Sequence, residues 1–169
     1  MIIAYKNFQI RDWQPGDRHR AAAVIRQVLT EYGLPWQPDG ADQDVIAVED
    51  YYLEKGGTFW VVEHHGSLIG TSGFYPIHRQ KNAVEIRKMY LLPTARKQGL
   101  GSFLLQQLET AIANQGFTTI WIETASILKE AVRLYESKGY LAATGVETDR
   151  CDRVYVKSLT PMPPILPTC

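Results

Sequence analysis

Cysteine is scarce: the 169 residues hold only two, Cys151 and Cys169. Two thiols at no ligand spacing make neither a disulfide framework nor a cysteine-based zinc site, and both are expected to be reduced. A surplus of charge is also missing. Lys plus Arg number 18 and Asp plus Glu 18, for a formal net charge of zero, so no long-range field favours a polyanion, and nucleic acid is not an expected partner. No apolar run approaches the ~18 residues of a membrane span. The opening Met1-Ile2-Ile3-Ala4-Tyr5-Lys6 lacks the basic stretch and apolar core of a secretory leader. A cytoplasmic protein without a membrane partner is expected.

What is present suits one globular domain. Apolar residues make up 45% of the chain and aromatic residues 11%, and at this length folding removes roughly 70% of the unfolded surface from water, so no disulfide or metal staple is needed. The domain is expected over residues 1–160. A Pro-rich tail over 161–169 carries Pro161-Met162-Pro163-Pro164 and is expected to lie extended on the surface.

Hydrophobic periodicity orders the elements. A strand is predicted at 8–13, ended by Pro15-Gly16. A helix capped by Asp17 follows, with Ala21, Val24, Ile25, Val28, Leu29 and Tyr32 on one face and Gly33 as its stop. After a breaker-rich loop around Trp36, a helix at 42–55 puts Val45, Val48 and Tyr52 together. Strands at 58–63, 68–77 and 83–92 form an antiparallel meander. A helix at 101–115, a strand at 118–123, a helix at 128–138 and strands at 141–148 and 153–159 complete the chain. The strand, helix, strand unit in the middle requires one parallel pair. The fold class is therefore α/β, a single mixed and mostly antiparallel sheet of about seven strands with about four helices.

The chemistry concentrates at Leu91-Leu92-Pro93-Thr94-Ala95-Arg96-Lys97-Gln98-Gly99-Leu100-Gly101-Ser102, between a buried strand and an amphipathic helix. Glycines leave backbone N–H groups unobstructed, the helix start supplies orphan amides with the positive end of the dipole behind them, and Arg96 and Lys97 add charge. Phosphate is the expected guest. The P-loop and Rossmann spacings are both absent.

This segment resembles the acetyl-CoA pyrophosphate loop of the GNAT superfamily of N-acyltransferases. Glu85-Ile86-Arg87-Lys88-Met89-Tyr90-Leu91 is similar to the family's fourth strand, and residues 130–140, Glu-Ala-Val-Arg-Leu-Tyr-Glu-Ser-Lys-Gly-Tyr, to its late helix. The resemblance runs over about residues 8–159. It implies that backbone groups around Leu91, from Tyr90 to Leu92, pair with the pantetheine arm. It implies also that Arg96, Lys97, Gln98, Gly99, Leu100 and Gly101 wrap the pyrophosphate, with Ser102 opening the helix beneath. Tyr135 falls where many members keep a phenol near the thioester sulfur. Glu85 lies eleven positions before Arg96, the spacing at which some histone-type members hold a catalytic carboxylate. One position departs from the pattern: Leu128 stands where many members carry Asn.

The implied reaction needs few groups and no metal. An alkylammonium with a pKa of about 10.4 is neutral in roughly one molecule in a few thousand at pH 7, so a base must deprotonate it. Glu85 is the candidate base, the Leu91 N–H the candidate oxyanion donor and Tyr135 the candidate proton donor to the thiolate. Blander roles stay open: Tyr135 as a core tyrosine and Glu85 as the partner of Arg87. His64 and His65 sit on a turn where successive side chains diverge, and Asp39, Asp42 and Asp44 lack the glycine and terminal Glu of a calcium loop, reading as solvated charge and caps. The expected function is acetyl transfer from acetyl-CoA to a small-molecule amine. The alternatives are a protein or peptide N-acetyltransferase and a non-catalytic CoA-binding sensor. The segment 33–42 resembles a lid. For the acceptor, Arg87, Arg150 and Arg153 favour a carboxylate or phosphate, whereas Asp39, Asp42 and Asp44 favour a polyamine. A homodimer is allowed by the sequence and not required.

Overall fold

The computed structural model describes residues 1–159, so the tail expected at 161–169 lies outside the described residues. Strands β1 (Ile2–Tyr5) and β2 (Phe8–Asp12) precede helix α1 (Arg18–Glu31). A short helix α2 (Gln43–Ile46) and a π-helical turn (Glu49–Leu53) lead into β3 (Thr58–His64), β4 (Ser67–Ile77) and β5 (Ala83–Leu91). Helix α3 (Leu100–Asn114), β6 (Thr119–Thr124), α4 (Lys129–Ser137), β7 (Leu141–Ala143) and β8 (Arg153–Ser158) follow. The strands form one sheet in the order β1-β2-β3-β4-β5-β6-β8-β7, antiparallel throughout except for β5 beside β6. Strand alternation sends Ile10, Trp60, Val62, Phe74, Val84 and Ile86 to the face covered by α3 and α4. Trp13, Phe59, Val61 and Leu68 go to the opposite face, under α1 and the π-helical turn.

Four expectations change. An eighth strand, β1, pairs with β2 from Ile2↔Arg11 to Tyr5↔Phe8; four residues are too few to show a period, and Ile2 is 71% exposed on the sheet edge. The helix expected at 42–55 breaks at Ala47, whose backbone is not helical. The wide turn after it places Tyr52 edge-on against Phe59 and Tyr75, with its hydroxyl donating to Asp44 Oδ2 at 2.5 Å. The strand expected at 141–148 stops at Ala143 because the Glu147 and Thr148 N–H groups, which would continue a ladder, donate to the Glu123 carboxylate. Asp17 caps no amide of α1; its buried carboxylate accepts from the Gln14 N–H and from Arg11 and Arg20.

Two irregularities shape the centre of the sheet. β5 and β6 pair from Ala83↔Thr119 only as far as Ile86↔Ile122, and then part. Across the other edge of β5 the register slips between Thr71↔Tyr90 and Gly73↔Arg87, which leaves an extra residue on β5. Lys88 sits in that bulge at φ 54°, and its carbonyl accepts the Thr71 hydroxyl at 2.7 Å.

The turn entering β3 separates space from strain. A Cβ on Gly57 would lie 2.2 Å from the Phe74 carbonyl oxygen and 2.9 Å from Tyr75 Cα, whereas one on Gly56 meets nothing but sits at φ +81°. Gly57→Ala is expected to cost about 3 kcal/mol, since backbone on both sides cannot yield, and Gly56→Ala only about 1 to 2 kcal/mol. Urea denaturation of the two variants checks the order.

Candidate active site

Where β5 leaves β6, the edge of β5 has no strand partner. The Leu92 N–H donates to Ile69 O in β4, at 2.8 Å. By antiparallel alternation the main-chain groups of Met89 and Leu91 therefore face the opened edge. Arg96 Nε donates to the Leu91 carbonyl there at 2.9 Å, which leaves the Leu91 N–H to meet a ligand. A groove runs from this edge to the start of α3, walled by Val28, Tyr32, Leu91, Leu134 and Tyr135.

The groove has the make-up of a site for an extended, phosphate-bearing thioester. Arg96, Lys97, Gly99, Gly101 and Ser102 line its polar end, at the first turn of α3, where amides lack intrahelical partners. Gly99 at φ +81° opens the helix, and a Cβ there would press on the Tyr5 hydroxyl at 2.5 Å. At Gly101 a Cβ would make ordinary packing contacts with Leu134 and Leu91, at 3.6 and 3.8 Å, and would clash with nothing. Arg96 is held in a two-pronged ion pair with Glu31 and lies over the Tyr32 ring. Leu92, Gln98 and Leu100 do not line the groove. Leu100 is buried in the core, and the Gln98 carbonyl accepts from Tyr5 and Lys6.

A second, narrower cleft fills the splay itself and shares Met89, Tyr90, Leu128, Ala131 and Tyr135 with the groove. Tyr135 thus stands at the junction. Its ring is 4% exposed, packed near Tyr140 and Tyr155, and its hydroxyl has no hydrogen-bond partner among the described residues. Burial raises its pKa, so the phenol keeps its proton at neutral pH. Tyr90, also at the junction, is pushed up to about 12 for the same reason. Leu128 precedes α4 and offers no side-chain cap.

Glu85 lines the splay from β5, 9% exposed. Its carboxylate has no hydrogen bond among the described residues, and Arg87 approaches only to 3.8 Å. Burial outweighs that attraction and raises the carboxyl to about 7. Arg87 is turned elsewhere: Nε lies 3.3 Å from Asp44, Nη1 donates to the Tyr75 hydroxyl at 3.1 Å and Nη2 to the Ala41 carbonyl at 3.2 Å.

The acidic cluster is neither a cap nor solvated. Asp42 is fully buried and Asp44 nearly so, and both face Lys88 Nζ, at 3.1 and 3.2 Å. Arg150 grips Asp42 with two nitrogens. Of the three only Asp39 is exposed; it lines an outer cavity that Asp44, Glu147 and Asp149 also reach. Arg153 is exposed and lies outside both clefts. Lys88 and the pairing of Arg150 with Asp42 escaped the sequence reading, although a lysine at the parity of Val84 and Ile86 is a visible signal. No cluster able to hold a metal ion occurs among the described residues, nor a helix long and apolar enough to cross a membrane.

A mixed sheet split beside a glycine-opened helix defines an acyl-CoA transferase fold, and comparison with known proteins agrees. The sequence model described as "Acetyltransferase (GNAT) family" matches residues 23–140. YjgM of Escherichia coli K12, named an uncharacterized N-acetyltransferase, is 35% identical over 127 residues, covering 73% of this chain and 76% of that protein. Human N-acetyltransferase 8 is 26% identical over 96 residues, covering 54% of this chain and 42% of that protein. Among solved structures, a GNAT-family acetyltransferase from Staphylococcus aureus Mu50 superposes with a TM-score of 0.84 at 20% identity, covering 90% of this chain and 99% of that one. The protein yncA from Salmonella typhimurium, solved with its cofactor acetyl-CoA, gives 0.72 at 19% identity over 92% of this chain and 95% of its own. The chain belongs to the GNAT acetyltransferase family. It is an acetyl-CoA-dependent acetyltransferase.

Glu85 also makes a statement about stability. A carboxyl whose folded-state pKa exceeds its unfolded value stabilises the fold below the unfolded pKa, and that contribution is lost as pH rises through the folded pKa. With values of 4.5 and about 7, the loss spans pH 4.5 to 7 and amounts to about 3 kcal/mol. Glu85→Gln has no such loss. It is expected to gain on the wild type by this order between pH 4.5 and pH 8 in urea denaturation, with no relative gain if Glu85 titrates normally.

Proposed function

We propose that this acetyltransferase acts on small-molecule amines in the cytoplasm, with Glu85 as base and Tyr135 as proton donor. The observation that carries the reading is that one cleft is lined both by Glu85, a buried carboxylate with no hydrogen bond among the described residues, and by the buried phenol of Tyr135. Bound acetyl-CoA supplies an acyl carbon activated by its thioester. The groove residues, with Arg96, Lys97 and the first amides of α3 at the pyrophosphate end, hold that donor with its acyl end at Tyr135. The Leu91 N–H, on the unpartnered edge of β5, faces the acyl oxygen as it gains charge. Glu85 takes the proton that an incoming ammonium must lose, directly or through one water, and a pKa of about 7 suits that task at neutral pH. As the C–N bond forms and the C–S bond breaks, the nitrogen sheds its second proton to solvent and Tyr135 gives its proton to the departing sulfur; solvent then restores Tyr135 and takes the proton held by Glu85.

Two features favour a small acceptor over a peptide. The cleft is walled by Leu34 and by Thr148 and Arg150 from opposite ends of the chain, and Arg150 reaches across to the Pro35 carbonyl and to Asp42. An extended peptide needs an open groove. A sensor that only binds CoA has no use for a neutral-range carboxyl beside a protonated phenol.

A panel of primary amines, amino acids and short peptides with acetyl-CoA, read as free thiol, tests the class; turnover of peptides alone, or of nothing, overturns it. With the best acceptor, kcat/KM is expected to rise with pH through about 7 as Glu85 ionises. Glu85→Gln should lose that limb and recover only as pH approaches the pKa of the amine itself. A uniform loss at every pH removes Glu85 from the proton path. Tyr135→Phe is expected to lower kcat about 10²-fold or more while the KM for acetyl-CoA stays within about threefold, since the ring keeps its packing. A kcat within threefold of wild type makes Tyr135 a packing residue.

A further inference from the structure

The wall of the acceptor cleft opposite Tyr135 is made by charge. Three segments that the sheet does not join meet there: the loop at 34–42, the bulge of β5 and the loop at 144–152. Asp42 is their common point. Both its oxygens accept from Arg150, at 2.5 and 2.6 Å, one accepts the Gln37 N–H at 2.9 Å, and Lys88 Nζ stands 3.1 Å away. Arg150 also donates to the Pro35 carbonyl at 3.0 Å, and Lys88 to the Ala41 carbonyl at 2.8 Å. The side chains of Asp42, Lys88 and Arg150 are 0, 3 and 6% exposed.

Such a cluster is costly to bury and is a poor choice for stability alone, because apolar side chains of the same volume do as well. Its distinguishing property is that Asp42 is shared: it answers two cations at once, so losing one of them frees the segment that cation anchors while the other pair remains. Its position gives that property a use. Arg150 and Leu34 line the splay, and Lys88 lines it from the bulge, two residues before the Tyr90 that marks the junction with the cofactor groove. The bulge is itself under local strain, with Lys88 at φ 54°, and its side chain is anchored by the same Asp42.

We infer that the Arg150–Asp42–Lys88 cluster is a latch that fixes the size of the acceptor: it ties the loop at 34–42 to the loop at 144–152 across the cleft, and Arg150 is a specificity-determining residue. This rests on the reading of the splay as the acceptor site. With the latch closed, an amine must fit within the cleft behind the bridge. With Arg150 removed, Asp42 keeps its bond to Lys88, so the bulge stays formed while the two loops separate.

The test is Arg150→Gln, with Arg150→Lys as the conservative partner, measured against acetyl-CoA with two probes: 2-phenylethylamine and the peptide Ser-Gly-Phe-Ala. Amide hydrogen exchange is followed in parallel over residues 35–44. For Arg150→Gln the peptide-to-amine ratio of kcat/KM should rise at least tenfold, chiefly through a higher KM for the amine, with the KM for acetyl-CoA within threefold. Exchange at 35–44 should quicken at least tenfold while α3 is unchanged, and Arg150→Lys should fall between the two. An equal loss for both acceptors, or a parallel rise in the KM for acetyl-CoA, makes Arg150 a structural residue only. Unchanged exchange at 35–44 refutes the latch whether or not either probe is acetylated. Absence of turnover by the wild type with both probes and the wider amine panel counts against the acceptor reading instead. If Arg150→Gln does not fold, the same measurements on Arg150→Lys decide, and wild-type exchange and ratio in that variant overturn the inference.

Discussion

The active-site geometry depends on the parting of β5 from β6 after Ile86 and Ile122. A parallel pair that continued would satisfy the main chain of both strands and leave no room between them. Ending the pair exposes main-chain donors and acceptors in the middle of a sheet, where unpaired groups are costly. Part of that cost is met internally, by Arg96 on the Leu91 carbonyl. The rest is available to a ligand able to act as a strand, which is what a chain of amides such as pantetheine offers. The bulge on the other edge of β5 works in the same direction, because it turns the last residues of β5 without breaking their hold on β4.

The parting also explains why two clefts meet at one tyrosine. Helix α4 lies over the gap that β6 leaves, so a residue on its buried face looks into the splay from one side and along the cofactor groove from the other. Tyr135 holds that place, and Tyr140 and Tyr155 pack about its ring. The core role and the role at the junction are therefore compatible. The ring is held by packing, and the hydroxyl has no partner among the described residues.

How much of this was legible depended on whether a feature is local. The loop at 96–102 was legible because glycine, a helix start and basic side chains are consecutive in the chain; the structure adds that a side chain at Gly99 would press on Tyr5 whereas one at Gly101 would meet Leu134 and Leu91 at ordinary contact distance. β1 was missed because four residues at an edge, half of them exposed, carry no usable period. The misreading of Asp42 and Asp44 as solvated has a physical cause. Their partners Lys88 and Arg150 lie 46 and 108 positions from Asp42 in the chain, and periodicity cannot pair charges at that range. A lysine that follows Val84 and Ile86 at alternate positions of the sequence signals a buried cation, although the bulge turns Lys88 away from the face of those two, and a buried cation demands carboxylates. That demand says nothing of which carboxylates answer it.

The distribution of those carboxylates sets the chemistry. Arg87, Lys88 and Arg150 could each have paired with Glu85, and a close guanidinium would have held its carboxyl below the usual range. Asp42 and Asp44 take them instead: Arg87 turns its Nε to Asp44, and the approach of Nη1 to Glu85 is left at 3.8 Å. Desolvation then governs Glu85 and lifts it to about 7. The aspartates thus act on the candidate base without touching it, by occupying the cations that would otherwise hold it ionised. Asp42 also ties the loop at 34–42 to Arg150, so the wall of the proposed acceptor cleft and the surroundings of the candidate base are parts of one set of ion pairs.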